Sequence, residues 1–192
     1  MASVLDPALN DLIRRFEQTA RAELERIIAA AFSDELDDLD EESRDAIWQA
    51  SAHERRRLFL YYLPWITRRG AELRALLADL RARLLEAERT GRTVDAAAYR
   101  AQIAKVLDQL ERQIGRVTEG LRWAAAELAA AERARHEGRR VWWHLDPAAK
   151  HCSVCPEIAA GSPYPSVEAI GGVPGSGLSP CGANCRCYLT FE

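Results

Sequence analysis

The sequence predicts a mainly α protein. An extended helical N-terminal region with a long antiparallel helical hairpin comes first, then a small α+β module built around a two-stranded β-ribbon. Three observations lead there. Apolar residues recur at three and four positions through most of residues 7 to 137, the spacing of one face of a helix. Beyond Gly138 the period changes to that of strands, at Val141-Trp142-Trp143-His144-Leu145 and again at Tyr188-Leu189-Thr190-Phe191. All five cysteines lie between positions 152 and 187. The expected division is therefore a helical region, 1–137, and a small Cys-rich, zinc-binding module, 138–192.

The first helix is expected over about 7–32. Asp6 can cap it and Pro7 fits its first turn. Leu9, Leu12, Ile13, Phe16, Ala20, Leu24, Ile27, Ile28 and Ala31 give it one apolar stripe. SDELDDLDEESRD follows, with eight carboxylates broken by Leu36 and Leu39. The turn glycine and closing glutamate of a calcium loop are missing, so this block reads as a solvated linker or an acidic first helical turn.

A second helix is expected over 43–63. It carries the run Leu58-Phe59-Leu60-Tyr61-Tyr62-Leu63, then Pro64-Trp65-Ile66, flanked by Arg55 to Arg57 and by Arg68 and Arg69. The run is far shorter than the roughly 20 residues that cross a bilayer. It reads as a buried corner where Pro64 kinks or ends the helix. After Gly70, Leu73, Leu76, Leu77, Leu80 and Leu84 define a helix over 71–89. Thr90-Gly91-Arg92-Thr93 is the turn, and Ile103, Val106, Leu110, Ile114, Val117, Leu121, Ala125 and Leu128 mark a helix over 95–137, a rod of about 60 Å. These last two helices make the hairpin.

The formal charge of −3 is unevenly spread: net −8 over residues 1–53, +7 over 54–140 and −2 over 141–192. Such polarity marks either a charged partner or segments of one chain folding against each other, and the second is the default. No basic n-region with an apolar run opens the sequence, so folding in a reducing cytosol is expected.

Cys152 and Cys155 form C-x2-C, and Cys181, Cys185 and Cys187 form C-x3-C-x-C. Two such clusters at this separation have the pattern of a tetrahedral structural zinc site, in which four thiolates leave no open position for a reacting water. The expected ligands are Cys152, Cys155, Cys181 and Cys185, with Cys187 as the alternative fourth. Cys181 and Cys185 can approach an ion from one turn without drawing a strand residue out of its pairing. Disulfides with one free thiol are the competing reading. Between the clusters AAGSPYPSVEAIGGVPGSGLSP is rich in Gly, Pro and Ser and needs pinning at both ends, which a metal supplies.

The stretch from Arg139 onward resembles the C-terminal module of the phage head-morphogenesis family, the minor head proteins related to the F protein of phage Mu. The resemblance is carried by Arg139, Arg140, Val141, Trp142 and Trp143, by Asp146 before the C-x2-C, by Gly161 and Tyr164, and by Asn184-Cys185-Arg186-Cys187. A weaker lead-in, with Arg116, Thr118 and Glu119, extends it to about 114–192. Family members carry H-P-N-C-R-C; here Gly182 stands at the histidine position and Cys181 is one residue earlier. The resemblance implies a minor head protein of a tailed phage or phage-like particle, acting near the portal in capsid assembly and DNA packaging. It implies portal or capsid proteins as partners, several copies per particle, and a virion location after synthesis in the host cytoplasm.

Other chemistry is weighed against this. The H-x-E of a zinc deaminase and the H-E-x-x-H of a zincin are absent, and GGVPGSG lacks the lysine of a phosphate loop. His144 and His151 flank the knuckle and are the residues a zinc nuclease would use as ligand or base, though no such constellation is recognisable. The alternative of a different class is a zinc-containing nucleic-acid-binding protein. There Arg55 to Arg57, Arg68, Arg69, Arg139 and Arg140 would track phosphates.

Overall fold

The structure, a computed structural model, describes residues 21–192, and within them the burial of all but thirteen helical positions between 65 and 114. The start of the first expected helix, with Leu9, Leu12, Ile13, Phe16 and Ala20, lies outside the described residues.

The chain is mainly helical with one small antiparallel sheet, the expected class. A helix over 21–35 (α1) is followed by α2 (Glu41–Ala50), α3 (Ala52–Arg89), α4 (Thr93–His136), β1 (Val141–His144), α5 (Val154–Ala160), α6 (Val167–Ile170), a 3-10 turn (Gly182–Asn184) and β2 (Tyr188–Phe191). The described residues separate into two compact units, one holding residues 21 and 63–116, the other 22–62 and 117–192.

The first unit contains the tip of the hairpin. Leu84 and Ala87 of α3 bury against Ala96 of α4, with Tyr99 and Ile103 packed alongside. At the turn Arg92 N–H bonds to Ala87 C=O at 2.9 Å around Gly91, whose φ of +70° is available without strain only to glycine. Gly138 stops α4 in the same way, with Arg139 N–H on Ala134 C=O at 2.7 Å.

The second unit holds the larger core. Leu24, Ile27, Ile28, Ala31 and Phe32 of α1, Ile47 of α2, Leu58 and Tyr62 of α3, and Leu121, Ala124, Ala125 and Leu128 of α4 are all buried. The acidic block does two local jobs here. Asp40 caps α2 by accepting from Ser43 N–H at 2.8 Å, and Asp38 takes both terminal nitrogens of Arg133 at 2.8 Å. That pair holds the Asp38 carboxyl below its ordinary pKa, chiefly through the Arg133 hydrogen bonds. Acidic and basic segments thus meet within one chain.

Two expected boundaries differ. The helix expected over 43–63 is divided at Ser51, and the expected stop between 63 and 71 is absent: α3 runs through Pro64 and Gly70 for 38 residues. At Ser51 a short-range contact spans the junction. Arg55 stacks on Trp48 with its guanidinium carbon 3.2 Å from the ring centroid, and donates to Trp48 C=O at 2.6 Å. The end of α2 is thereby capped by a cation, as a helix C-terminus favours. At Pro64 the helix loses one donor, and the carbonyl left over belongs to Leu60, a residue 50% exposed. Thr67 donates to the carbonyls of Leu63 and Pro64 at 3.1 Å, reinforcing the same turn. The aromatic run is therefore no corner. Leu58 and Tyr62, four apart, face the core, while Leu60 and Tyr61 are exposed.

Strands β1 and β2 pair antiparallel as expected, with Val141 opposite Phe191, Trp142 opposite Thr190, Trp143 opposite Leu189 and His144 opposite Tyr188. Val141, Trp143 and Leu189 are buried. On the other face His144 stacks on Tyr188 with centroids 5.2 Å apart. An unexpected third segment joins the ribbon: Val141 and Tyr164 exchange both backbone bonds, at 2.8 and 2.7 Å.

Candidate metal centre

Each cysteine is positioned by a different local device. Cys152 lies just before α5, and Cys155 is buried in its first turn. Cys181 precedes the 3-10 turn at Gly182–Asn184 and Cys185 follows it. Cys187 sits one residue before β2, so strand alternation gives it the same inward side as Leu189.

These devices bring all five sulfurs into two groups that share Cys155. Cys152, Cys155 and Cys181 form one and Cys155, Cys185 and Cys187 the other, with the sulfurs of each group within 4.8 Å of one another. The second group is wholly buried; in the first, Cys152 and Cys181 are half-buried. Cys152 Sγ is 3.4 Å from Cys155 Sγ, which is 4.0 Å from Cys185 Sγ. Four ligands at a zinc–sulfur length of about 2.3 Å would be separated by roughly 3.8 Å, so these spacings bracket a tetrahedral shell. All five cysteines are free thiols. The cluster could hold a metal ion.

The expected ligands therefore divide. Cys152, Cys155 and Cys181 stand together, whereas Cys185 stands with Cys155 and Cys187. His144 belongs to neither sulfur group and bonds Thr190 Oγ1 at 2.8 Å. His151 is beside them: its Nδ1 is 3.7 Å from Cys187 Sγ.

Without a cation, burial holds most of the clustered sulfurs as neutral thiols. Burial pushes the Cys155 and Cys187 thiols up, the latter with help from neighbouring Cys185; burial and the Cys152 side chain push Cys181 up. Burial also opposes ionisation of Cys152. Donation from the Cys155 backbone and from the Cys181 and Cys155 thiols outweighs it and brings its pKa down to about 6. Cysteine sulfurs gathered out of water ionise together only when a cation compensates them. The indole N–H of Trp143 is buried. It acts on the Cys187 sulfur, favouring the ionised form against burial, and a metal-bound thiolate there would accept from it.

The Gly-Pro loop between the cysteines is held by groups that its composition did not signal. Tyr62 Oη donates to Gly175 C=O at 3.0 Å in a buried setting. The Tyr61 ring lies where a Cβ on Gly177 would project, and Arg57 donates to Gly171 C=O at 2.9 Å. Gly161 and Tyr164 also have a packing role, since the Tyr164 hydroxyl occupies the space of a Gly161 Cβ and donates to Ile158 C=O at 2.8 Å. The adjacent Tyr61-Tyr62 pair in the helical run was the only available sequence signal for this contact.

No family model matches the chain, and no curated protein or solved structure matches it significantly. No helix among the described residues is long and apolar enough to cross a membrane.

Proposed function

We propose that the protein is a structural, non-catalytic component of a tailed phage or phage-like particle, a minor head protein near the portal whose C-terminal region is fixed by one zinc ion. The observation that carries the zinc is the gathering of five sulfurs from two distant turns around Cys155. Sulfur donors suit zinc among the common divalent ions, and a filled thiolate shell stabilises a fold without activating water. The phage reading rests on the likeness of residues 139–192 to the head-morphogenesis module. The helical hairpin and its charged faces are the surfaces that would meet portal or capsid subunits.

Four of the seven arginines that nucleic-acid binding would use have partners within the chain. Arg55 is on Trp48, Arg57 on Glu54 and Gly171, Arg68 on Glu72, and Arg139 on Glu137. That favours the assembly reading over a phosphate-tracking one. The test is co-sedimentation of purified protein with portal or procapsid particles and with duplex DNA across a salt series. Salt-tolerant association with particles supports the assembly reading. Binding to DNA alone, falling steeply between about 50 and 200 mM salt as phosphate contacts require, overturns it.

A further inference from the structure

We infer that Cys152 and Cys155 are an oxidisable dithiol, which a low-molecular-weight disulfide converts to an internal disulfide, and that closing this bond dismantles the metal centre and frees the glycine-rich loop. The coupling to the ion rests on the zinc reading; the pairing of the two sulfurs does not.

Proximity singles out the pair. Cys152 Sγ and Cys155 Sγ are 3.4 Å apart, closer than the 4.0 Å between Cys155 Sγ and Cys185 Sγ. A disulfide holds its sulfurs at about 2.05 Å, so the two must approach by roughly 1.4 Å. Cys152 lies before α5, outside its hydrogen-bonded turns, and is free to supply that movement.

Access sets the order of events. Cys155 and Cys187 are 0% exposed and Cys185 is buried as well. Cys152 and Cys181 are half-buried, so these are the sulfurs a small molecule in solution meets first. Cys152 has Cys155 at hand to complete the exchange. Its thiolate attacks one sulfur of the incoming disulfide, forming a mixed disulfide and releasing one small thiolate. The Cys155 thiolate then attacks Cys152 Sγ, forming the internal bond and releasing the second. The two cysteines lose two electrons together and the small disulfide gains them. Its halves leave as thiols, taking the protons of Cys152 and Cys155, or protons from water where an ion has already displaced those.

The consequence follows from which sulfur is used. Cys155 is the member common to both sulfur groups. Bound to Cys152, it leaves Cys181 alone in one group and Cys185 with Cys187 in the other, so neither keeps three donors. Chain topology points the same way. An ion held by sulfurs of both clusters joins residues 30 apart, such as Cys155 and Cys185, whereas the disulfide joins residues three apart. That ring is too short to restrain the loop, which keeps only its contacts with Tyr62 and Arg57. The tail is thus ordered while its thiols are reduced and loosened once they are oxidised.

The deciding experiment treats reduced, zinc-loaded full-length protein with oxidised glutathione in the absence of oxygen. Released zinc is followed with a chromogenic chelator, and the unreduced protein is cleaved after Lys150 and Glu157, which isolates both cysteines in the peptide 151–157. That peptide should become lighter by two hydrogens in step with zinc release, and dithiothreitol with fresh zinc should reverse both changes. Cys152→Ser should slow the release by about tenfold or more, because the sulfur that meets the reagent is gone. A disulfide between any other pair, a lasting glutathione adduct on Cys152, no reaction, or zinc still bound after the bond has closed overturns the inference while leaving the zinc reading intact. So does Cys152→Ser protein that releases zinc as fast as wild type. Protein that carries no zinc before treatment overturns the zinc reading, and its peptide 151–157 still decides the pairing. The wild-type peptide gives that decision even if the variant fails to fold.

Discussion

The two compact units solve the same problem with different materials. In the hairpin unit, side chains from two helices meet along one stripe, and Leu84, Ala87 and Ala96 are its buried cluster, while Leu76 and Leu85 remain 42% and 41% exposed. The other unit surrounds its core. Helical segments cover one side, the ribbon and the glycine-rich loop another, and buried donors such as Tyr62 Oη are satisfied by loop carbonyls far away in sequence. The comparison teaches where a metal is useful. A helix satisfies its own backbone and needs only an apolar partner, whereas a loop of Gly, Pro and Ser has little of its own to bury. Cross-links from outside the loop, tyrosines on one flank and sulfurs on the other, set its path.

The largest expected effect comes from removing the sulfur common to both groups. Cys155→Ser should abolish stoichiometric zinc and disorder the tail, read as loss of Trp143 near-UV dichroism, with the helical far-UV signal largely retained. Equal loss of both signals would contradict the division of labour between the units.

The same contrast can be sharpened with one kind of substitution in each core. Leu121→Ala removes a side chain that is 0% exposed among well-packed neighbours, and should cost about 3–5 kcal/mol in denaturant unfolding. Leu84→Ala, 4% exposed beside two alanines, should fall near the lower end, about 2 kcal/mol. Equal costs would mean that the hairpin core is as closely packed as the other.

Much of this contrast was legible in the sequence, and what was not has a common cause. The three-and-four spacing of Leu77, Leu80 and Leu84 and of Val117, Leu121 and Leu128 specified helices because it reports burial on a local period. The change of period at Val141 specified the ribbon in the same way, and cysteine spacing located the cluster. The Tyr62–Gly175 bond and the place of His151 depend on groups that meet only after the chain folds, and the break at Ser51 and the passage of α3 through Pro64 on contacts that no periodicity reports. Trp48 and Arg55 look in sequence like any aromatic and any arginine. Pro64 reads as a stop unless one knows that the carbonyl it orphans belongs to an exposed residue, Leu60.

Glycines give a finer comparison. Gly91 and Gly177 have φ of +70° and +84°, so alanine at either pays the left-handed penalty of about 1 kcal/mol. Around Gly91 there is open space, whereas a Cβ on Gly177 would overlap the Tyr61 ring. Gly91→Ala should cost about 1 kcal/mol, and Gly177→Ala about 1–3 kcal/mol more, from overpacking. Tyr61→Ala should relieve that excess in a double-mutant cycle.

The smallest expected effect is a pH dependence. Burial, partly offset by the hydrogen bond from Leu189 N–H at 3.0 Å and reinforced by Glu35, raises the Glu127 carboxyl to about 7. Its ordinary pKa is 4.5, so the folded state binds more protons than the unfolded between those values. Glu127 therefore contributes stability at low pH that is lost as pH rises towards and through 7. From pH 6 to pH 8, wild type should lose about 1 kcal/mol relative to Glu127→Gln. A difference that stays flat would place Glu127 in water.

The account stands most directly on the metal content of protein purified and desalted under reducing conditions. It predicts one zinc per chain, released by a chelator together with the ordered signal of Trp143. Metal-free protein whose tail keeps that signal would contradict it.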